Sequence, residues 1–245
     1  MNIIIPMAGN GQRFVDAGYD LPKPMIDVLG KPMILRVLEN LDIDGKYHFI
    51  VRKEHQEKYQ ICDLLRSLIP DCEIIQLSEL TEGATSSVLK AFTDKIDLED
   101  ELIVTNCDQI FIWNKQLFFN VADDSDGTLL CHRDSDSKWS YCIGQENSSN
   151  YMNVSHVVEK PNIIPEHSYA NVGLYHWKST KRFYNDALRM IKEGNKTKNE
   201  YYISPLYNYL CDEGKVVRSV LCTEMYGIGT PEDLKNYECK FNLDN

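Results

Sequence analysis

The sequence has 245 residues, of which 43% are hydrophobic and 26% are charged, and this balance excludes a largely disordered or collagen-like chain. The formal net charge of -11 makes the average surface repel polyanions, which argues against a nucleic-acid partner and leaves any phosphate site to local groups. Eight cysteines occur without a Cys-x-x-Cys pair, a pattern that favours buried free thiols over disulfides or a metal site.

The amino-terminal segment predicts a buried strand at the very start of the fold. Ile3 to Pro6 is a short apolar run, rich in β-branched residues, that leads into a glycine-containing loop. The run lacks the basic region of a signal peptide and is too short to span a membrane, so we expect a cytoplasmic protein with no membrane partner. The length suits one large α/β domain or two small ones.

Up to about residue 105, the chain alternates between strand and helix patterns. The predicted elements, in chain order, are a strand at 3–6, a helix at 33–41, a strand at 48–51, a helix at 61–68, a strand at 73–77, a helix that starts near Gly83, and a strand at 102–105. Such alternation predicts a parallel sheet with helices on both faces. Ligands bind such sheets beyond the carboxyl ends of the strands, which directs attention to the loops after Ile5 and Thr105.

Beyond about residue 125, short strands replace this alternation. The predicted elements are strands at 128–132, 141–144, 154–158 and 171–177, and one helix around 182–191. We interpret this part as a substrate-specific half. Acidic stretches at 123–126 and 134–136 are typical of solvated loops, and neither indicates a linker between independent domains.

The loop after the first strand carries a pattern suited to binding phosphates. It reads Ala8-Gly9-Asn10-Gly11-Gln12-Arg13-Phe14, and Pro22-Lys23-Pro24 follows. Glycines allow backbone amides to approach a polyphosphate closely, while Arg13 and Lys23 supply positive charge. The glycines alone would equally suit an ordinary turn before a helix. The pattern is neither the dinucleotide-binding Gly-x-Gly-x-x-Gly nor a P-loop, which disfavours both of those mechanisms.

A longer pattern includes this loop. Residues 7–14, 22–26 (Pro-Lys-Pro-Met-Ile) and 30–34 (Gly-Lys-Pro-Met-Ile) together resemble the amino-terminal signature of the sugar-phosphate nucleotidyltransferases, or nucleoside-diphosphate-sugar pyrophosphorylases. Further matching segments are Asn106-Cys107-Asp108, Val158-Glu159-Lys160-Pro161, Asn171-Val172-Gly173-Leu174-Tyr175 and Gly227-Ile228-Gly229-Thr230-Pro231-Glu232-Asp233-Leu234. The resemblance extends from Ile3 to Leu234 and therefore covers nearly the whole chain.

The resemblance implies a role for each matching residue. Arg13 would grip the triphosphate and the leaving pyrophosphate, Lys23 would act near the reacting phosphates, and Asp108 would bind Mg²⁺, the expected cofactor. The implied nucleotide-binding residues are Ala8, Gly9, Asn10, Gly11, Gln76, Glu82 and Gly83. The implied acceptor-binding residues are Glu159, Lys160, Asn171 and Gly173. Considered alone, Asp108 would equally cap a turn, 159–161 would end a strand, and 171–173 would mark a β-bulge.

The closing segment both fits the resemblance and departs from it. Thr230 is a suitable N-cap for a helix that starts at Pro231. Many relatives place a second metal-binding aspartate two residues before the Gly-Thr pair, where this chain has Gly227. Either Asp108 acts with triphosphate oxygens and water alone, or another carboxylate substitutes.

By resemblance, the expected fold is an α/β, three-layer αβα, Rossmann-like nucleotidyltransferase fold with a mixed, mostly parallel central sheet. It would form a single domain over 1–245, with a nucleotide-binding half at 1–125 and an acceptor-binding half at 126–245. The match leaves no room for the carboxy-terminal β-helix or dimerisation extension of many relatives, which implies a minimal member of the family.

The resemblance implies transfer of a nucleotidyl group from a nucleoside triphosphate to a sugar 1-phosphate or another small phosphorylated acceptor, with release of pyrophosphate. Two alternatives stay open. One is a glycosyltransferase that consumes a nucleotide sugar, although such enzymes usually carry an Asp-x-Asp motif and this chain has Asp108-Gln109-Ile110. The other is a non-catalytic nucleotide-binding module, which Gly227 would suit. The base, the acceptor and the oligomeric state are not determined by the sequence.

Overall fold

The computed structural model describes residues 1–148 and 150–242 of the chain. The strands are β1 (Asn2–Pro6), β2 (Asp27–Val28), β3 (Lys31–Pro32), β4 (Lys46–Arg52), β5 (Glu73–Leu77), β6 (Leu102–Thr105), β7 (Gln109–Ile112), β8 (Gly127–His132), β9 (Ser140–Ser148), β10 (Tyr151–Glu159), β11 (Ser168–Trp177), β12 (Val217–Leu221) and β13 (Glu224–Gly227). The α-helices are α1 (Gln12–Asp16), α2 (Met33–Leu41), α3 (Lys53–Tyr59), α4 (Ile61–Leu68), α5 (Ala84–Leu89), α6 (Lys115–Asp123), α7 (Thr180–Glu193), α8 (Tyr207–Asp212) and α9 (Pro231–Asn242). Single 3-10 turns lie at Lys23–Met25 and Ser204–Leu206.

A central sheet of nine strands runs through both halves of the chain. Its strand order is β5-β4-β1-β6-β11-β8-β12-β10-β9. The first four strands are parallel neighbours, as the alternation of strands and helices predicts. Strands β10 and β11 run against the others, because both of their neighbours in this order pair with them in the antiparallel sense. The sheet is therefore mixed, with most strands pointing the same way.

Apolar side chains cover both faces of this sheet. On β1, Ile3 and Ile5 belong to one apolar cluster and Ile4 to another, and all three are fully buried. The cluster of Ile3 includes side chains from α2, α4 and α6, whereas that of Ile4 includes side chains from α5, α7 and α8. Burial of each such side chain contributes about 1.5–3 kcal/mol. The predicted three-layer αβα architecture is confirmed.

Strand β11 changes partners half way along its length. Its first residues, Ser168 to Ala170, pair with β9, while Leu174 to Trp177 pair with β6. Between these stretches the register with β8 shifts, and Gly173 has a φ of +82°, a conformation that favours glycine. The strand therefore contains a bulge next to the end of β6. This bulge separates the residues that pair with β9 from those that pair with β6.

The end of the chain returns to the loop after β1. Strand β13 pairs with β7 in a separate two-stranded sheet, and α9 follows. The Asp233 amide donates a 3.1 Å hydrogen bond to the Thr230 hydroxyl, which confirms the predicted N-cap. Leu234 on α9 shares an apolar cluster with Phe14 and Met33. Residues from both ends of the described chain therefore pack together beside α1.

Several elements were not predicted from the sequence, namely α1, α3, α6, α8, β2, β3, β7, β12 and β13. The predicted helix near Gly83 is shorter than expected, because α5 ends at Leu89 and buried Ala91 lies in the turn that follows. All eight cysteines are free thiols, but only five are buried, since Cys72 and Cys211 are half-buried and Cys239 is exposed. None of the described helices is both long and apolar enough to cross a membrane.

Candidate active site

A cavity of about 440 Å³, the first cavity, opens where β1 and β6 end side by side. Because these strands are parallel neighbours, the loops that follow them meet at one edge of the sheet. The lining residues are Pro6, Met7, Gly9, Gly11, Gln12, Arg13, Phe14, Lys23, Pro24, Asn106, Cys107, Asp108 and Gly229. The structure thus brings Asp108 together with Arg13 and Lys23, and these are the three residues that the sequence predicts for catalysis.

The glycine loop after β1 forms one wall of the first cavity. At its start, the Met7 amide donates a 2.8 Å hydrogen bond to a carbonyl of β4. At its end, Gly11 has a φ of +59° and α1 begins directly after it. Phe14 on α1 is buried and packs edge-on against Tyr19, which anchors this short helix. Arg13 lies on the same helix and is thereby held at the cavity.

Lys23 and Asp108 form an ion pair inside the first cavity. The Lys23 Nζ donates to Asp108 Oδ2, and the two side chains are 22% and 21% exposed, so both still reach solvent. Burial alone would lower the pKa of Lys23, but the Asp108 carboxylate outweighs it, and the net pKa is raised. Burial raises the pKa of the neighbouring Cys107 thiol to about 12, so this group stays neutral.

Gly229 allows this ion pair to pack closely against the backbone. A β-carbon at position 229 would lie only 2.4 Å from Asp108 Oδ2 and 3.2 Å from Lys23 Nζ, so any side chain there would displace the pair. Asp108 is the one carboxylate among the described residues that line the first cavity. The described residues contain no cluster of three or more His, Cys, Asp or Glu side chains suited to a metal ion. The site therefore offers one carboxylate and free space rather than a closed metal cage.

A second cavity of about 230 Å³ adjoins the first. Its lining residues are Ala84, Asn106, Gln109, Lys138, Trp139, Ser140, Glu159, Lys160, Asn171, Gly173, Tyr175, Tyr202 and Ile203. Asn106 lines both cavities, and its Nδ2 donates a 3.1 Å hydrogen bond to the Gln109 side chain. The two cavities therefore share a wall at the end of β6.

The end of β10 supplies two charged groups to the second cavity. Burial raises the pKa of Glu159, although the Ser204 hydroxyl donates a 2.6 Å hydrogen bond to its carboxylate. The Lys160 Nζ donates to the Tyr202 hydroxyl and lies 4.1 Å from the centre of that ring. The backbone of Lys160 is left-handed, with a φ of +47°, which is uncommon for lysine. The segment around Tyr202 therefore holds both side chains in place.

The bulge in β11 presents Asn171 to the second cavity. Asn171 is 3% exposed, and its Oδ1 accepts a 2.8 Å hydrogen bond from the Gly173 amide, while its Nδ2 donor has no partner among the described residues. A β-carbon on Gly173 would lie 2.2 Å from Asn106 Nδ2 and 2.4 Å from Gln109 Oε1. Glycine at 173 thus allows these amide side chains to pack against the bulge, and a buried donor is left available.

Five predicted nucleotide-binding residues lie outside the lining of the first cavity, namely Ala8, Asn10, Gln76, Glu82 and Gly83. Gln76 is exposed on β5, and the Glu82 carboxylate forms a 2.6 Å ion pair with Lys196. A β-carbon on Gly83 would lie 2.6 Å from the backbone of Tyr201, so glycine permits close contact there. The Tyr201 amide donates to the Glu82 carbonyl (2.8 Å). This segment therefore contacts the chain beside the second cavity.

Comparison with known proteins identifies the family. The family model for nucleotidyl transferases matches residues 2–242. The chain belongs to the nucleotidyl transferase family. Membership makes this protein a nucleotidyltransferase and argues against the alternative of a glycosyltransferase.

Individual relatives of this nucleotidyltransferase are distant in sequence. The bifunctional protein GlmU from Methanocaldococcus jannaschii is 26% identical over 96% of this chain, and the chain spans about half (52%) of its length. Among solved structures, the nucleoside-diphosphate-sugar pyrophosphorylase from Vibrio cholerae RC9 is 23% identical with a TM-score of 0.80, and the match covers 97% of this chain and 99% of that one. A UDP-glucose pyrophosphorylase complexed with UDP-glucose is 16% identical with a TM-score of 0.77, over 100% and 99% of the two chains. These two structures confirm the nucleotidyltransferase fold.

Sequence reasoning missed several residues of this nucleotidyltransferase that line the cavities. Gln109, Trp139 and Tyr202 line the second cavity, but none of them belongs to a segment that carries the family resemblance. Gly229 belongs to the closing segment, yet nothing in the sequence indicates its closeness to Asp108. Spacing carries no signal for such contacts, because they join segments that are far apart in sequence.

Proposed function

We propose that this chain transfers a nucleotidyl group from a nucleoside triphosphate to a small phosphorylated acceptor, with a sugar 1-phosphate as the first candidate, and releases pyrophosphate. The observation that carries the proposal is the wall shared by the two cavities at Asn106. A triphosphate in the first cavity and an acceptor in the second would meet there directly. The sugar-nucleotide activities named for the structural relatives support the same choice of acceptor.

On the nucleotide side, the glycine loop and two cations would bind the triphosphate. Gly9 and Gly11 line the cavity without side chains, so their backbone amides are accessible to phosphate oxygens. Arg13 would grip the triphosphate and the leaving pyrophosphate with its planar guanidinium, and Lys23 would act as a point charge near the reacting phosphates. Catalysis of such transfers is mainly positioning and electrostatic stabilisation, which this arrangement supports.

Asp108 is suited to a magnesium ion that also binds the substrate. Mg²⁺ is commonly held by one or two carboxylates together with substrate phosphates and water, rather than by a cage made only of protein. A single carboxylate that lines the first cavity, where phosphates and water would have room, fits that requirement. When bound, the ion would neutralise charge on the phosphate oxygens and orient the α-phosphate. Lys23 would then exchange its contact with Asp108 for contacts with phosphate oxygens.

The missing second aspartate has no clear replacement at the cavity. The Asp233 carboxylate is 3.8 Å from the point where a β-carbon on Gly227 would lie. However, the Thr230 hydroxyl donates a 2.7 Å hydrogen bond to it, and Asp233 does not line the first cavity. We therefore propose that Asp108 acts with substrate oxygens and water, without a second protein carboxylate.

On the acceptor side, four predicted residues line one cavity: Glu159, Lys160, Asn171 and Gly173. Lys160 would bind the acceptor phosphate, and Glu159 together with the unpaired Asn171 donor would bind hydroxyl groups. An acceptor phosphate oxygen would attack the α-phosphorus, and the bond from that phosphorus to the bridging oxygen would break as pyrophosphate leaves with the electron pair. We propose on this basis a nucleotide-binding half at 1–125 and an acceptor-binding half at 126–245 of one domain.

The test is a matrix of magnesium-bound ATP, GTP, CTP, UTP and dTTP against phosphorylated acceptors. The acceptors are hexose 1-phosphates, inositol 1-phosphate, phosphocholine and phosphoserine, and the readout is pyrophosphate release with the product identified by mass. We expect turnover for one base and one acceptor class. Magnesium-dependent triphosphate binding without pyrophosphate release across the whole matrix would refute the proposal and favour the non-catalytic module.

A further inference from the structure

Arg52 is a largely buried cation that neither the fold nor the proposed reaction explains. It ends β4, the parallel neighbour of β1, and therefore lies at the same edge of the sheet as the glycine loop. Its side chain is only 13% exposed. It does not line the first cavity, so it does not contact a triphosphate bound there in the manner proposed above.

The contacts of Arg52 lead to the glycine loop. Its Nη1 donates a 2.8 Å hydrogen bond to Asn10 Oδ1, and its Nη2 lies 2.9 Å from the carboxylate of Glu54, which is 61% exposed. The buried Nε has no partner among the described residues. Burying a guanidinium with an unpaired donor costs free energy. The contact with the exposed Glu54 could form without that burial, so it does not explain the burial. The bond to Asn10 is therefore the contact that distinguishes this arginine.

Apart from the buried side chain of Ala8, the glycine loop has few other attachments. The Met7 amide and the first turn of α1 are fixed by backbone hydrogen bonds, but no backbone hydrogen bond of the described chain holds Ala8, Gly9 or Asn10. Glycine raises the conformational entropy of such a segment, so an unanchored loop would spend much of its time in other conformations. A charge-assisted hydrogen bond from Arg52 to Asn10 restricts the loop.

We propose that Arg52 is a positioning residue that holds the glycine loop, through Asn10, in the conformation that forms the first cavity. It prepares the loop amides for the triphosphate before binding, so that less ordering free energy is lost when the nucleotide arrives. This inference rests on the proposed function in one respect, namely that the first cavity binds the nucleotide.

The test compares Arg52→Gln and Arg52→Lys with Glu54→Gln, a control that removes the other partner of Arg52 and leaves the bond to Asn10. With the best substrate pair from the matrix, we expect Arg52→Gln to raise KM for the triphosphate about tenfold, the usual effect of one charge-assisted hydrogen bond, and to leave KM for the acceptor unchanged. Arg52→Lys, which keeps the charge and one donor, should fall between Arg52→Gln and the wild type. Equal changes in both KM values, or equal effects of Arg52→Gln and Glu54→Gln, would contradict the proposal.

Hydrogen exchange and a double mutant separate positioning from general stability. We expect amides of residues 8–11 to exchange faster in Arg52→Gln than in the wild type, with exchange in β4 and β6 unchanged. In an Asn10→Ala background, Arg52→Gln should add little, because the contact is already absent. Additive effects, or wild-type exchange in the loop, would overturn the inference.

Failure of the proposed function has a different signature. If the wild type releases no pyrophosphate with any pair, the proposed reaction is wrong. The role of Arg52 can then still be tested by hydrogen exchange in the loop and by the affinity for magnesium-bound UTP, CTP, dTTP, ATP and GTP. If Arg52→Gln does not fold, Arg52→Lys and Asn10→Ala provide the same comparison.

Discussion

The two cavities are built in different ways. Most of the first cavity comes from one short stretch of chain, residues 6–24, together with the loop directly after β6. The second combines the start of α5 and the end of β6 with the β9–β11 region and the segment around Tyr202, so its lining residues extend from Ala84 to Ile203. The first therefore depends on local loop structure, whereas the second depends on how the antiparallel strands pair.

The two cavities also differ in the pairing and burial of their polar groups. In the first cavity, Lys23 and Asp108 neutralise each other and remain partly exposed. In the second, Glu159 has a raised pKa because of burial, and the Asn171 amide retains an unpaired donor. Buried and unsatisfied groups discriminate strongly between ligands that do and do not pair with them. On this comparison, we propose charge stabilisation as the role of the first cavity and selectivity as that of the second.

The largest expected effect comes from the first cavity. Asp108→Asn keeps the shape of the side chain but removes its charge, so we expect kcat to fall on the order of 10³-fold while the melting temperature changes little. The exposed Asp63→Asn on α4 is the matched control and should retain wild-type turnover. Near-normal pyrophosphate release by Asp108→Asn would remove Asp108 from the chemistry.

A substitution at the β11 bulge should lower the free energy of unfolding. Gly173→Ala places a β-carbon against Asn106 and Gln109 and strains a backbone with positive φ, so we expect the free energy of unfolding to fall by more than the roughly 1–3 kcal/mol due to strain alone. Gly194→Ala is the matched control, because Gly194 has a φ of +69° with nothing within 4 Å of the added atom. Chemical denaturation measures both. Equal destabilisation of the two variants would mean that the packing around Gly173 is unimportant.

A variant confined to the second cavity should leave the nucleotide untouched. Asn171→Ala removes the unpaired donor, and we expect KM for the acceptor to rise about tenfold with KM for the triphosphate unchanged. Asn153→Ala, on the exposed side of β10, serves as the control. A parallel rise in both KM values would show that the cavities do not act separately.

The smallest effect concerns pH. Because the pKa of Glu159 in the folded protein is above its ordinary value of 4.5, the folded state binds more protons there than the unfolded state. The contribution of Glu159 to stability is therefore greatest at acidic pH and is lost as the pH rises through the raised pKa. We expect Glu159→Gln to gain melting temperature relative to the wild type between pH 4 and pH 7. A difference that stays constant with pH would contradict the burial of this carboxylate.

Sequence reasoning recovered the first half of the fold best. The strands β1, β4, β5 and β6 and the helices α2 and α4 were predicted because each carries a continuous apolar run or a helical stripe. Helix α6 was missed although Leu117, Phe118, Val121 and Ala122 lie at helical spacing, so its signal was available. Strands β7 and β13 have four residues each and pair across more than a hundred positions, and local pattern does not predict such pairing.

The candidate site shows the same division. Arg13 and Lys23 lie in one contiguous motif and were expected close together, and Asp108 was expected there because parallel strands end at one edge. The approach of Tyr202 to Lys160, and of Ser204 to Glu159, depends on the path of the chain after α7, which no motif encodes. The side chain of Gln76 is exposed on β5 and outside both cavities, and its predicted contact with the base stays a prediction.

The contacts between residues 82–85 and 201–202 constrain how this enzyme can be redesigned. The Thr85 hydroxyl donates to the Tyr202 carbonyl (2.8 Å), and the Thr85 amide donates to the Tyr201 carbonyl (3.0 Å). A chimera that joins residues 1–125 to the second half of a relative would have to recreate these bonds and the close fit at Gly83. Grafting a new acceptor specificity therefore requires the segment after β5 to be transplanted together with the second half.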